Sequence, residues 1–527
     1  MVPAGRADDH YITIDEKLLG LSTPIDHPEY CIFQVHHSLR EVNKKAYEPD
    51  VLAIGPYHHG KDGLAFMEKH KLRLLHVMLK RKHDNSVERY FKAMRDNEQR
   101  ARDCYADQFP QISSDGFVEM MLLDGCFIVE LFRLVRDLIF QGFDPNFQSD
   151  ELHPNHRAYG LDLVFQTVWM LPAIMRDLLL LENQVPFFIL NILFEMSEGC
   201  NQRYDDATRE RTFMDESEGK HSRLLDCAVS FFYLFTCGVP FKLNFNASRY
   251  VSTDNIKHLL GLIHEVIGPS LEEGKPFSFA TDLQEVGFEF NYARNLNEVV
   301  PNENEDWMSI PYATELKRVG VMEFKEAVKF RNIIFDWYKT MDNKSIPTAT
   351  ELRGAGVKFK VAEAGKFFDI KFNKGQMEIP PLVVEDNTET LLRNLIAYEQ
   401  YSQNIHTRYV TEYLNIMDFL INTPKDVELL RRAGIIENLL GDDEVVSNMF
   451  NKLGDNVNLN GLDFCYADIF AKVNKHCAKR RNVWMAKLRR DYFNSPWAWL
   501  SVLAAILLLL LAFTQTIFSI LSYKQKK

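Results

Sequence analysis

Two sets of residues have the chemical types that active or metal sites use. The first is a run of histidines, His36-His37, His58-His59 and His70, downstream of Cys31. Zinc accepts imidazole nitrogen and thiolate sulfur. Adjacent histidines seldom give both rings to one ion, however, and no HxxxH or HExxH spacing occurs. The pattern favours structural or surface histidines. "GPYHHG" (Gly55–Gly60) reads as a turn, bent by Gly55-Pro56 and Gly60. It lacks the Lys-Ser/Thr of a phosphate-binding loop. The second set is Asp124, Glu130, Asp177 and Glu182, carboxylates inside strongly apolar runs. A buried acid has a raised pKa and can serve as a general acid or base. It can equally be a hydrogen-bond anchor, because buried polar groups must be paired. Glu182-Asn183-Gln184, just before Pro186, looks like such an anchor, satisfying backbone freed where proline interrupts a helix. No GxSxG, Ser–Lys, glycine-rich nucleotide loop or Cys–His signature is visible. Catalytic residues can be scattered in sequence, so Asp124 and Glu182 stay open as the pair a hydrolase or transferase would use. No catalytic, cofactor-binding or metal-ligating residue is assigned.

The elements that must position these side chains are mainly helical. Phe66–Arg81 puts Met67, Leu72, Leu75, Val77, Met78 and Leu79 largely on one face. Phe117–Phe140 and Met170–Met196 are apolar nearly all round and read as central core helices; their internal charges make a membrane span costly. Leu224–Phe235 and Asn255–Ile267 continue the helical pattern. Residues 268–308 are acidic and punctuated by Gly, Pro and Asn, which reads as a linker or exposed insertion.

Next comes a phrase written twice, "SIPYATELKRVGVMEFK" (Ser309–Lys325) and "SIPTATELRGAGVKFK" (Ser345–Lys360). In the second copy Thr348 and Glu351 form a capping-box pattern, and Gly356 suits the left-handed residue that ends a helix. The first copy has Tyr312 at the cap, and "ELLRRAGII" (Glu428–Ile436) echoes only the ending. The reading is a short capped helix leading into a strand, not a solenoid, which needs about three or more stacked units. Alternation around Asn373-Lys374-Gly375 predicts a small hairpin. Asp386 and Glu389 predict a capped helix start.

The 527 residues carry a net charge of −12, which argues against a nucleic-acid-binding body. The apolar fraction of 46% excludes a disordered chain. Eight cysteines without a CxxC fit a reducing compartment better than a disulfide framework. The first thirty residues hold no apolar signal core. The decisive stretch is "WLSVLAAILLLLLAFTQTIFSIL" (Trp499–Leu521), within an uncharged run from Tyr492 to Tyr523. At about 1.5 Å per residue it covers roughly 30 Å of hydrocarbon. Trp497, Trp499 and Tyr523 stand at its edges, with Leu508 and Phe513 inside.

Upstream lies a basic neck that includes Lys479, Arg480, Arg481, Lys487, Arg489 and Arg490. Positive residues stay on the cytosolic side, so the body is expected there and the four-residue tail across, as in a tail-anchored protein. The sequons at Asn246 and Asn343 are the counter-signal, meaningful only for a lumenal body. The neck would also attract anionic lipids. The expected organisation is a leader over 1–30, a helical part over 31–267, the acidic insertion at 268–308 and a second helical part with the hairpin over 309–470. A neck over 471–496, a span over 497–523 and a tail over 524–527 follow.

"AIGPYHHG" with "MEKHK", "LLDGCFIVELF", "DLLLLENQVPFFIL", "IPTATELRGAGVKF", "FFDIKFNKGQMEIPPLVVEDNTETLLRNLIAYEQ" and the C-terminal apolar helix, in that order, resemble the plant domain-of-unknown-function 247 family, also called uncharacterised protein family 0481. The resemblance covers roughly Cys31 to Tyr523; the extra "SIPYATEL" copy departs from the usual pattern. It implies a plant protein with a large, mainly α soluble body and one C-terminal span. The family carries no established activity, cofactor or ligand, and some grass members are associated with pollen–stigma self-incompatibility. The expectation is a non-enzymatic recognition or signalling protein, bound to membrane lipids by its helix and neck. It is expected at the plasma membrane, meeting unidentified protein partners through residues 268–308.

Overall fold

The computed structural model describes residues 30–81, 86–142, 167, 169–198, 223–234, 256–268, 345–362, 368–401, 408–458, 465–479 and 496–525. The leader, nearly all of the acidic insertion, the first copy of the duplicated phrase, Asn246 and Asn343 lie outside them. So do Arg480, Arg481, Lys487, Arg489 and Arg490.

The first half comprises α1 (His37–Val42), α2 (Glu68–Arg81), α3 (Glu88–Asp96), α4 (Glu98–Arg102), α5 (Ser114–Gly142), α6 (Met170–Leu178), α7 (Phe187–Ser197), α8 (Arg223–Leu234) and α9 (Leu259–Ile267). Two 3-10 turns, Lys44–Tyr47 and Asp62–Met67, interrupt the early loops. The 29-residue α5 is the axis, and α2, α3, α7 and α8 pack around it. Its central side chains, Cys126 to Phe132, are all fully buried. Apolar character on every side is what a helix surrounded by other helices needs.

Two local expectations are corrected. Leu72 is 54% exposed whereas Lys71 is 1% exposed. The charged residue takes the inward position because an acid on α5 receives it. The interruption expected at Pro186 comes earlier: α6 stops at Leu178, and an irregular stretch precedes α7, whose N-cap is Pro186.

The second half comprises α10 (Ala349–Gly354), β1 (Lys358–Val361), β2 (Lys371–Asn373), β3 (Gln376–Ile379), β4 (Leu382–Val384), α11 (Thr388–Tyr401), α12 (Tyr409–Leu420), α13 (Pro424–Arg432), β5 (Ile436–Asn438), α14 (Asp443–Leu453) and α15 (Ala467–Cys477). The hairpin forms as the alternation requires: β2 and β3 pair antiparallel, with Asn373 opposite Gln376. Lys374 and Gly375 between them have φ of 49° and 83°, the positive pair that matches a two-residue turn to strand twist. β1 joins the other side of β3 in parallel, and β4 pairs in parallel with β5 across three intervening helices.

The second copy of the duplicated phrase folds as read. Thr348 and Glu351 make a reciprocal capping box. At the other end Val357 N–H donates to the Leu352 carbonyl and Gly356 N–H to the Arg353 carbonyl, the Schellman pattern. The distant echo ends identically, with Ile435 bonded to Leu430 and Gly434 to Arg431. The two helix ends sit beside each other, and one carboxylate serves both starts. Asp426 Oδ1 accepts the N–H and hydroxyl of Thr350, and its Oδ2 accepts those of Thr423.

The box expected at Asp386 is replaced. Helix α11 begins at Thr388, whose hydroxyl accepts the Glu385 N–H, while Glu389 turns outward to Asn43 and Arg393. A partner on another segment outcompetes the local bond.

One continuous apolar core runs from Cys31 to Val473 through both halves. Helix α16 (Pro496–Gln525) is of another kind. Its segment Leu503–Ser522 has a mean hydropathy of 2.3 and none of it is buried. Leu508 and Phe513 are 64% and 66% exposed. Among the described residues this is the one helix long and apolar enough to cross a membrane.

Candidate functional site

The polar residues of the first half meet around an irregular strand of chain, residues 50–60, threaded between α5, α6 and the turn before α7. A segment without helix or sheet must find partners for each N–H and carbonyl. Here side chains supply them. Asp177, at the end of α6 and fully buried, accepts the N–H groups of Asp50, Val51 and Leu52 at 2.8 to 3.0 Å. Arg176 Nη1 closes its other side at 2.7 Å. Asn183 Oδ1 accepts the Ile54 N–H at 2.7 Å, and its amide donates back to the Leu52 carbonyl at 2.8 Å. Asp124 of α5 accepts the Gly55 N–H at 2.8 Å and the Lys71 ammonium at 2.6 Å. Lys71 also donates to the Ala53 carbonyl at 2.7 Å. Gly55 has φ +70°, and a Cβ there would stand 2.4 Å from the Gln184 carbonyl oxygen. Only glycine lets the loop pass that close.

The anchor expected at Glu182-Asn183-Gln184 is present. The Gln184 amide donates to the carbonyls of Leu178 and Leu180, and the Asn183 amide to that of Asp177. The carbonyls of Asp177 and Leu178 are ones that a helix end leaves without intrahelical partners, and that of Leu180, which also accepts the Asn183 N–H at 3.1 Å, lies in the turn that follows. Satisfying them from just downstream is what ends α6 well before Pro186. Leu181 N–H donates to Asn394 of α11, and Leu260 N–H of α9 to Gln184, so the same turn joins two further elements.

Glu182 faces the loop's far end. It accepts the Val35 N–H at 2.7 Å and pairs with Arg40. His58 lies buried beside it, Nε2 at 3.5 Å from Glu182 and Nδ1 accepting from Lys61 at 2.8 Å. Burial first, then the Lys61 and Arg40 cations, push the His58 imidazole down to about 4 against the pull of Glu48. Burial pushes the Asp124, Asp177 and Glu182 carboxyls up, and the Lys71 ammonium, the loop N–H groups and Arg40 oppose it. Raised acids suit proton transfer, but every one of these is already bonded to this chain. Asp124 and Glu182 hold different partners at different ends of the loop. Glu130 is buried on α5 and pairs with Arg133, which reaches the Phe194 carbonyl at the end of α7.

The histidines separate. His36 caps α1, and His37 is exposed and pairs with Glu41. His59 is exposed, and His70 is buried against the Phe66 ring at 4.9 Å. Among the described residues no three His, Cys, Asp or Glu side chains are grouped to hold a metal. A second buried network was not anticipated. Glu399 accepts the N–H groups of Val410 and Thr411 at the start of α12 and meets His264 Nε2 at 2.8 Å. Lys71 and Arg40 sit among mixed charges in sequence and Glu399 in an otherwise uncharged run, with no pattern to set any of them apart.

These segments, "AIGPYHHG", "MEKHK", "LLDGCF" and "DLLLLENQVPFF", are thus the pieces that fit together in space. A family model described as a plant protein of unknown function, DUF247, matches residues 32–511. The chain belongs to the DUF247 family. Two relatives from Arabidopsis thaliana are similar along nearly their whole length. The UPF0481 protein At3g47200 is 29% identical, with 94% of this chain and 87% of the relative aligned. The putative UPF0481 protein At3g02645 is 25% identical, with 92% and 89% aligned. No solved structure matches the chain. In this DUF247 member three of the blocks that carry the family resemblance, those holding Lys71, Asp124 and Asp177 to Asn183, clamp residues 50–60.

A pH dependence follows from His58. Its folded pKa, about 4, is below the ordinary 6.5, so the neutral ring's contribution is full above pH 6.5 and is lost as pH falls toward 4. Two and a half pKa units correspond to at most about 3 kcal/mol. Urea unfolding of the detergent-solubilised protein at pH 7 and pH 4.5 should show that loss, and His58→Gln should flatten it. An equal pH slope in both proteins would assign the acid sensitivity elsewhere.

Proposed function

We propose that this DUF247 member is a non-enzymatic recognition or signalling protein held at the cytosolic face of the plasma membrane by α16. Its helical body binds protein partners. The observation that carries the anchoring is the bare apolar surface of Leu503–Ser522, beside a body whose own core is fully covered. Water tolerates scattered exposed leucines but not a continuous apolar cylinder. The non-catalytic reading is supported by the use of the buried acids: Asp124, Asp177 and Glu182 are spent on the chain's own backbone N–H groups and basic side chains, and Glu130 on Arg133. The basic neck favours the cytosolic face and its anionic lipids. Partner binding falls to the acidic segment 268–308, since exposed loops carry contacts more often than cores do. Self-incompatibility-type recognition, associated with some grass members, is one form such binding takes.

The test uses sealed microsomes with the cytosolic face outward and tags at residue 1 and within 268–308. Added protease should remove both tags without detergent. Tags that survive until detergent is added would place the body on the other face. Proximity labelling from the body should then lose its partner set when 268–308 is deleted; an unchanged set would reject that segment as the contact surface.

A further inference from the structure

The N-terminal segment 31–36 crosses the body as a strap before α1 begins. Ile32 and Tyr105 form a parallel β-bridge, with Ile32 N–H donating to the Cys104 carbonyl at 3.0 Å and Ala106 N–H to the Ile32 carbonyl at 3.0 Å. Cys31 N–H shares the same Cys104 carbonyl, at 2.9 Å, so the backbones of the two cysteines touch. Chain segments joined by such backbone bonds lie about 5 Å apart, which is within the roughly 4.4–6.8 Å between α-carbons that a disulfide spans. The Cys31 side chain is the neighbour that most lowers the Cys104 thiol's pKa, which puts the two sulfurs side by side, and Cys104 Sγ also lies 3.4 Å from the Arg100 carbonyl oxygen.

We propose that Cys31 and Cys104 are a reversible dithiol switch, closed by a peroxide and opened by thiols. The thiolate is the reacting form of cysteine, and neighbouring cations favour it. The contact with the Cys31 thiol, then Arg100 and Lys257, lower the Cys104 thiol's pKa against the effect of burial. Cys126, Cys227, Cys465 and Cys477 are all pushed the other way by burial. Cys104 is also half-buried, whereas Cys31 is buried behind it. The order of events follows. The Cys104 thiolate attacks one peroxide oxygen, the O–O bond breaks, and the chain holds a sulfenic acid while hydroxide leaves and takes a proton. The Cys31 sulfur then attacks the Cys104 sulfur, the S–O bond breaks, and water departs with the Cys31 proton. Two thiols and one hydrogen peroxide become one disulfide and two waters.

Closure would add a covalent tie to a strap that is otherwise held by hydrogen bonds and packing. Tyr401 is its main support, stacked on Phe33 at 4.5 Å, accepting the His36 N–H at 2.9 Å and donating to the Gln34 carbonyl at 2.9 Å. Val35 N–H reaches Glu182. The switch therefore sets how firmly the chain's entry into the body is seated on the clamp and on α11.

The experiment treats the full-length protein, purified in detergent and fully reduced, with graded hydrogen peroxide. Free thiols are then alkylated and the peptides mapped. The expected product is a peptide joining Cys31 to Cys104, lighter by two hydrogens, formed before any other cysteine reacts and lost on dithiothreitol treatment. In Cys31→Ser, Cys104 should instead be trapped by dimedone as a sulfenic acid. The proposal is overturned if Cys104 stays alkylatable while other cysteines oxidise. It is equally overturned if Cys104 proceeds to a sulfinic acid or pairs elsewhere with Cys31 left free. The wild-type map decides this even if a serine variant fails to fold.

Discussion

Leu508→Arg combined with Phe513→Arg is expected to release the protein from membranes. Both residues lie in Leu503–Ser522, and both project from a helix with no protein cover. An arginine near the middle of a span costs about 2.5–3.5 kcal/mol on insertion scales, so two cost about 5–7 kcal/mol together. At about 1.4 kcal/mol per decade, that weakens insertion by more than a thousandfold. Snorkelling reduces the cost for charges near a span's ends, which is why the pair is placed inside. In a sucrose flotation gradient the parent should rise with the vesicles and the double variant stay in the load. Flotation separates true release from aggregation, since aggregates sink. Leu508→Ala with Phe513→Ala keeps the span apolar and should float like the parent. A double-arginine protein that floated after an alkaline wash would show that something other than α16 holds the body to the bilayer.

What could be read from sequence and what could not divide along one physical line. Features set by neighbours within a few residues were legible. The hairpin followed from Lys374-Gly375, the ending of α10 from Gly356, and the membrane-length helix from composition alone. Features set by partners far away in sequence were not. β4 finds β5 some fifty residues on, and nothing in "LVV" or "IEN" names the other. Lys71 faces inward because Asp124 waits on another helix. Within Met170–Met196 the sequence placed the interruption at Pro186, whereas the helix already ends at Leu178. The break after Leu178 depends on where two side-chain amides point, which hydrophobic periodicity does not encode. The acids were legible as buried, and an anchoring role was legible for Glu182-Asn183-Gln184. Asp177's three N–H partners come from residues 50–52, more than a hundred positions upstream, so its role was invisible.

Asp177→Ala is accordingly expected to cost more stability than any other single substitution in the body. It removes the acceptor of three loop N–H groups and leaves the Arg176 guanidinium without its buried partner. Each buried donor left unsatisfied costs about 1–3 kcal/mol, and breaking a buried ion pair by removing one member costs about 3–5 kcal/mol. These terms overlap, because Arg176 also reaches the Glu48 and Lys45 carbonyls and a loosened loop would admit water. A loss of about 5 kcal/mol is the conservative outcome, set against a total of about 5–15 kcal/mol for a folded domain. The variant should therefore fail to accumulate, or unfold at a much lower urea concentration with an unchanged slope. Asp177→Asn keeps one acceptor oxygen but turns an amide donor toward other donors, so it should fall between the two. The comparison separates a clamp from a catalyst: a clamp variant loses folding in proportion to the hydrogen bonds removed. An Asp177→Ala protein with the parent's urea midpoint would mean that residues 50–55 hold their path without this carboxylate, and the reading of the family's buried acids as loop anchors would fail with it.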